Sequence, residues 1–227
     1  MLEMIECFRD LPPPVLQRLE QGGYAVTPKD GAEIFAQDDP ANAVYAVIGG
    51  DGRVRIASAG GHSKVLMAQS FGVGEIFGEI AVLDGGTRSA EAVATGRVQL
   101  WRIGATPFLD VLQSTPALGV GLARMMAKRL RRTHLLLQDA TFASLEARLA
   151  RQLLYLAALD GKRTDQGVRV PGRFRQGDLA DLLGVTTRSI INVLNDWRAD
   201  GIVVYDTNRA LLTICREDAL RGLVGES

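Results

Sequence analysis

The stretch Gly74 to Ala90, GEIFGEIAVLDGGTRSA, gathers the residue types that could hold a small anion bearing hydroxyls. Gly78 has no Cβ, so the backbone there can come close to a ligand. Glu79 follows at once and can accept a hydrogen bond from a sugar hydroxyl. The run Glu79 to Leu83, which includes Ile80 and Ala81, can form a turn of helix whose first N–H groups are free to face an anion. Asp84, Gly85 and Gly86 end that turn. Arg88 then offers a forked, permanently charged partner for a phosphate. Ser89 adds a hydroxyl, and the N–H groups of Ser89 and Ala90 can close the cradle. The plainer alternative is a surface turn with Glu79 and Arg88 as an exposed pair. Gly-Glu and Arg-Ser are common dipeptides; their order, with Gly-Gly between, distinguishes this stretch.

A second cluster lies near the C-terminus, RQGDLADLLGVTTRSIINVLNDW from Arg175 to Trp197. Leu179, Ala180 and Leu183 form the inner face of one short helix. Gly184 suits a left-handed turn, and Val185 plugs the space between helices. Thr186 can cap a second helix, whose core face is Ile190, Val193 and Leu194. Thr187, Arg188, Ser189 and Asn192 then project from its first turns, with Arg175 and Gln176 at the start of the first helix. This is the helix-turn-helix pattern, whose second helix enters the DNA major groove. Arg188 suits guanine O6/N7, and Asn192 suits adenine.

The elements that must position these clusters read in order along the chain. Leu2 to Leu19 is a helical lead-in interrupted by Pro12-Pro13-Pro14. From Gly23 to Ile103 the pattern is short alternating segments between glycine turns, clearest at Val44–Ile48, Val54–Ile56, Lys64–Ala68 and Val98–Ile103. Turns are expected at Gly49–Gly52 and Ala59–Gly61. Many short strands with glycine turns indicate a barrel or sandwich. One long helix follows, with Ser114 as N-cap and Pro116 just inside it. A heptad seam runs through Gly119, Ala123, Met126, Leu130, Thr133, Leu137 and Ala140, with Arg124, Lys128, Arg129, Arg131 and Arg132 outward. The seam predicts a parallel two-stranded coiled coil and hence a homodimer; the alternative is a stripe packed on the chain's own β domain. After a hinge near Phe142–Leu145, a helix to Leu159 carries Leu145, Leu149, Leu153 and Leu156 on one stripe. Asp160 to Arg173 reads as a loop or hairpin. Beyond the helix pair, Gly201–Tyr205 and Leu211–Ile214 form a two-stranded wing, and Glu217–Leu223 a closing helix.

With 227 residues the chain has room for two ordinary domains. Lys+Arg and Asp+Glu are balanced at 26 each, so any basic surface must be local. Cys7 and Cys215 are the only cysteines, which provides no zinc site and no iron–sulfur cluster. No metal ligand set and no catalytic residues are identified: paired carboxylates and a nucleophile with its base are lacking. No signal peptide or membrane-spanning run is seen, which leaves a cytoplasmic protein and no membrane partner.

The Gly78-Glu79 and Arg88-Ser89-Ala90 stretch resembles the phosphate-binding cassette of cyclic-nucleotide-binding domains, whose pattern runs Phe-Gly-Glu, a short helix, then Arg-Ser/Ala/Thr-Ala. With the long helix and the winged helix-turn-helix, almost the whole chain resembles the cyclic-AMP receptor / fumarate-nitrate regulator family. The resemblance implies an α+β chain: a jelly-roll-like β-roll over 1–113, a dimerisation helix over 114–141 and a winged helix-turn-helix domain over 142–227. It implies a homodimeric transcription regulator that binds double-stranded DNA at a palindromic operator, with RNA polymerase as a further partner. The effector would be a cyclic nucleotide, cyclic AMP favoured and cyclic GMP the alternative. In the family a threonine at the place of Thr133 meets the purine edge. The next position, a serine reaching across the dimer in the cyclic-AMP sensor, is His134 here, which either contacts the base or faces solvent. The recognition helix departs too: Thr187-Arg188-Ser189 and Asn192 stand where that sensor has Arg-Glu-Thr and Arg, so a different operator is expected. A competing reading within the same architecture is a haem or gas sensor using His62 or His134 as axial ligand.

Overall fold

The computed structural model of the chain describes residues 1–60, 64–170 and 175–225, without the side chains at 58–60, 64–68, 136–142 and 159–160. His62, the candidate haem ligand, and Phe174 lie outside the described residues. The chain divides into two compact units, with a boundary inside the long helix after Thr133.

The first unit opens with two single turns of 3₁₀ helix, Leu2–Met4 and Glu6–Phe8, then helix α1, Pro13–Gln21. The prolines begin this helix rather than interrupt one. Pro12 is the N-cap, and Pro13 and Pro14 take the first positions, where no N–H is needed. Strands β1 (Gly23–Val26), β2 (Glu33–Phe35), β3 (Ala43–Gly50), β4 (Arg53–Gly60) and β5 (Lys64–Phe71) follow. Next come β6 (Ile76–Phe77), a short helix α2 (Glu79–Asp84), β7 (Glu91–Thr95) and β8 (Val98–Gly104). They form two four-stranded sheets, ordered β1-β8-β3-β6 and β2-β7-β4-β5. All four expected strands are present. The register of β3 on β8 shifts between Val47 and Gly49, so a bulge sits at the entrance to the glycine turn.

Strand β3 shows why the roll needs a cover. Ala43, Tyr45 and Val47 point into one apolar cluster with Phe35, Phe71 and Phe77. Val44 and Ala46 point the opposite way, into a second cluster with Phe8, Phe108, Leu118 and Leu122. Successive side chains of a strand face opposite sides, so a strand buried on both faces needs helices on its back. Those helices are α1, α3 (Ala105–Ser114) and the start of α4 (Pro116–Phe142).

Helix α3 is absent from the sequence expectation, and it corrects the long helix's start. Ser114 is the last residue of α3 and donates its hydroxyl to the Asp110 carbonyl at 2.7 Å; it does not cap α4. Helix α4 begins at Pro116 and ends at Phe142. Leu118, Leu122 and Met125 are buried on its inner stripe. The next place in that stripe is Arg129, so Arg129 turns inward rather than outward. Met126 is half-buried against the roll and Gly119 is half-buried, whereas Val120, Ala123, Ala127 and Leu130 are exposed. Leu137 and Ala140 belong to α4, and their side chains lie outside the described ones.

In the second unit α5 (Leu145–Asp160) starts at Ser144, which accepts from the Ala147 N–H. Ala143 and Ser144 separate it from α4, at the expected hinge. Leu149, Leu153 and Leu156 are buried as the stripe predicts. Strands β9 (Lys162–Thr164) and β10 (Gly167–Arg169) form a hairpin ahead of α6 (Gln176–Leu183) and α7 (Thr187–Ala199). Strands β11 (Val203–Asp206) and β12 (Leu211–Ile214) pair with Val203 opposite Ile214, and α8 (Glu217–Leu223) closes the chain. The wing is larger than two strands: β12 also pairs with β10, giving a sheet ordered β11-β12-β10-β9.

Candidate anion cradle and nucleic-acid interface

Gly78 sits at φ 75° between β6 and α2, a left-handed conformation that side chains resist. A Cβ there would lie 2.7 Å from Arg88 Nη1 and 3.3 Å from the Phe35 ring. Gly85, also at φ 75°, ends α2. The chain then returns through Thr87, bridged to Pro40, so that Arg88 enters the roll beneath Gly78.

Arg88 is buried, with 2% of its surface exposed. Its Nη1 donates to the Gly78 carbonyl at 2.5 Å and its Nη2 to the Ala43 carbonyl at 2.7 Å. The guanidinium lies 4.2 Å above the Phe35 ring, itself part of an aromatic group with Tyr45 and Phe77. No carboxylate among the described residues pairs with Arg88, and its Nε has no partner. Burial pushes the guanidinium pKa below its ordinary value. A buried cation without a counter-charge is costly, and an entering anion would relieve that cost.

Glu79, 1% exposed, is the complementary group. Its Oε1 accepts from Arg129 Nη1 at 2.6 Å, while Oε2 is buried with no partner. Arg129 also donates to the Ile76 carbonyl at 2.6 Å and covers the Phe71 ring at 4.7 Å. The heptad pattern places Arg129 outward; its spacing from Leu118, Leu122 and Met125, on one helical stripe, is the signal that finds it.

Arg88 and Glu79 share one cavity of about 50 Å³. Gly78, Glu79, Ile80, Ala81, Arg88, Ser89 and Ala90 all line it, so every cassette residue expected from the sequence is brought to one place. Gln69 and Phe71 from β5, with Ile56 from β4 and Phe35 from β2, are walls the sequence did not reveal. Gln69 and Phe71 share a face because strand residues alternate, while Ser70 turns away to meet Arg53 at 2.8 Å. Thr133 and His134 are exposed on α4 and are not among the walls. The Thr133 hydroxyl donates to the Arg129 carbonyl at 3.1 Å.

The orphan atoms test which ligand the cradle fits. Glu79 Oε2 asks for a donor such as a ribose hydroxyl, and Arg88 Nε asks for an acceptor such as a phosphate oxygen. The pair fits a sugar phosphate. Among the described residues no group of three or more His, Cys, Asp or Glu could hold a metal.

The second cluster adopts the expected geometry. Gly184 ends α6 at φ 65°, and Arg148 from α5 donates to the Leu183 carbonyl there. Thr186 caps α7, accepting from the Ser189 N–H at 3.2 Å. Ile190, Val193, Leu194 and Trp197 are buried, and Thr187, Arg188 and Asn192 are exposed. The Ser189 hydroxyl lies 2.9 Å from the Thr186 hydroxyl, within the cap. Arg175 is exposed, with its N–H held by Asp178 at 2.9 Å, and Gln176 is half-buried.

Comparison with known proteins agrees with both clusters. Residues 26–115 match the family "Cyclic nucleotide-binding domain", and residues 147–223 match "Crp-like helix-turn-helix domain". A "Cyclic AMP receptor protein" of Thermus thermophilus is 32% identical over 76% of each chain. The chain belongs to the Crp/Fnr family. Like other members of that family it is a DNA-binding transcription regulator with a cyclic-nucleotide-binding domain, and not an enzyme. A Mycobacterium tuberculosis "CRP-like cAMP-activated global transcriptional regulator" is 25% identical over 91% of each chain. The fold is shared with the "c-di-GMP Responsive Global Regulator CLP" of Xanthomonas campestris, at TM-score 0.74 and 21% identity, over 89% of this chain and 99% of that one. Among the described residues no helix is long and apolar enough to cross a membrane.

Proposed function

We propose that the chain is a cyclic-nucleotide-responsive regulator, acting as a homodimer through α4 and binding a palindromic operator when its cradle is filled. Cyclic AMP is the favoured effector, since Thr133 is retained and the Crp-type relatives above are named for cyclic AMP; cyclic GMP is the alternative. The observation that carries the reading is the pairing, in one cavity, of a carboxylate oxygen lacking a donor and a guanidinium lacking a counter-charge.

In this mechanism the phosphate meets Arg88 and Ser89, and a ribose hydroxyl meets Glu79 Oε2. The cavity is far below the roughly 300 Å³ of an ordinary small-molecule site, so binding must widen it. Releasing the Arg88–Gly78 bond is the nearest route, and the phosphate would replace that carbonyl as acceptor. Glu79 is tied by Arg129 to α4, so a ligand on Glu79 bears on the helix that carries the expected seam, of which Ala123, Leu130 and Thr133 are exposed. An effector whose contacts differ between two arrangements of that helix pair shifts their populations. The purine is assigned to Thr133 of one protomer and His134 of the other. On DNA, Arg188 and Asn192 read guanine and adenine, with half-sites about one helical turn apart. Arg175, Gln176, Thr186, Thr187 and Ser189 set the docking. RNA polymerase is the proposed further partner, in the cytoplasm.

Calorimetric titration with cyclic AMP and with cyclic GMP tests the reading. Submicromolar binding of at least one is expected, lost in Arg88→Ala, with operator affinity rising only when that nucleotide is present. An Arg88→Ala protein with full nucleotide-dependent operator binding would refute the cradle.

A further inference from the structure

A second and larger cavity, about 400 Å³, lies away from the cradle, between the Glu6–Asp10 turn and the face of α4 from Ala117 to Arg131. Its existence follows from close packing at one point. A Cβ on Gly121 would come 2.5 Å from the Cys7 carbonyl, so only glycine lets the N-terminal turn lie on the helix there. Residues on both sides of that contact line the cavity. Its floor is apolar, from Met125 and the buried Cys7, whose thiol is held neutral by burial. Its rim is cationic: Arg9 from the turn, and Arg124, Lys128 and Arg131 from α4.

The helical positions explain the convergence. Residues 124, 128 and 131 follow one another at i, i+4 and i+7 and so share a face about 10 Å long. Lys128 pairs with Glu6. Arg9, Arg124 and Arg131 have no ion-pair partner among the described residues. Asp10 is the only other carboxylate on the wall, so the cavity keeps a positive excess. In a chain of zero net charge, such a local excess is not a by-product of composition.

We propose that this cavity is a second ligand site, separate from the cradle, for a nucleotide carrying two or more phosphates. Guanidinium forks suit adjacent phosphates better than point charges do. The apolar floor suits a base, and 400 Å³ is within the range of small-molecule sites, roughly 300–1,000 Å³. The polyphosphate lies along Arg124 and Arg131 with Arg9 closing over it. Because the site abuts α4, its occupancy bears on the same helix as the cradle.

The test is calorimetric titration of the full-length protein with ATP, without divalent cation, in the presence and absence of saturating cyclic AMP. Binding at one site per chain is expected in both conditions. It should weaken at least tenfold in Arg124→Ala/Arg131→Ala, whose cyclic AMP affinity stays as in the wild type. The charge-matched control Arg97→Ala/Arg216→Ala should keep ATP binding within twofold. Absent ATP binding, displacement of ATP by cyclic AMP, or equal loss in both double variants would overturn the site. So would dissociation of the Arg124→Ala/Arg131→Ala dimer in sedimentation velocity, which would make the hollow part of an interface between copies.

Discussion

At the scale of single residues, function rests on groups held in states that water would not allow. Gly78 keeps a left-handed backbone 2.7 Å, at the Cβ position, from the guanidinium it must clear. Gly78→Ala is expected to cost about 1–2 kcal/mol of stability, since a side chain there is strained. It should also weaken cyclic nucleotide binding at least tenfold by displacing Arg88; calorimetry showing unchanged affinity would refute that role. Cys7 gives a pH-dependent counterpart. Burial pushes its thiol up to about 12, whereas an unfolded thiol ionises near 8.5. The folded protein therefore keeps a proton that the unfolded chain loses. That contribution is intact below the unfolded value and is lost as pH rises toward 12. Urea midpoints at pH 8 and pH 10.5 should fall further for the wild type than for Cys7→Ala, and parallel falls would refute the assignment.

At the scale of elements, α4 does two things with two faces. Its inner stripe covers the roll and ends in Arg129, which holds Glu79. Its other face leaves Val120, Ala123, Ala127 and Leu130 exposed. The heptad pattern is visible in the sequence, but which of the helix's apolar residues the roll covers is not. Met126 and Val120 are both apolar, and only the roll beneath determines which one is covered. Arg129→Met should leave Glu79 buried without its partner and cost about 3–5 kcal/mol. Glu79→Gln added to it should recover part of that loss. Denaturant unfolding of the two single variants and the double variant measures the coupling, and simple additivity would mean that the ion pair is not what holds α4 at the cradle. The helix-turn-helix was more legible, because its signals are local: a cap at Thr186, a left-handed residue at Gly184 and a core stripe. What local reading missed there is that Ser189 spends its hydroxyl on the cap.

At the scale of the whole molecule, the two functions are coupled only if each ligand favours the same state, and that coupling must be reciprocal. If cyclic AMP raises operator affinity by some factor, saturating operator must raise cyclic AMP affinity by the same factor. Titrating cyclic AMP into free protein and into the protein–operator complex checks this, and unequal factors would mean that the binding-competent species differ, for instance in oligomeric state. Composition, the strand and helix alternation, the cassette and the recognition helix were determined by the sequence alone, since each depends on neighbours within a few residues. The tertiary structure decided what depends on distant partners. It sank Arg88 between the carbonyls of Gly78 and Ala43, 45 positions apart from the latter. It brought Gln69 and Phe71 to the cradle from another strand and turned Arg129 inward. It also set the N-terminal turn against α4 at Gly121. Strand alternation and helical phase specify which residues share a face, but not what that face meets, and here the faces meet across long stretches of chain.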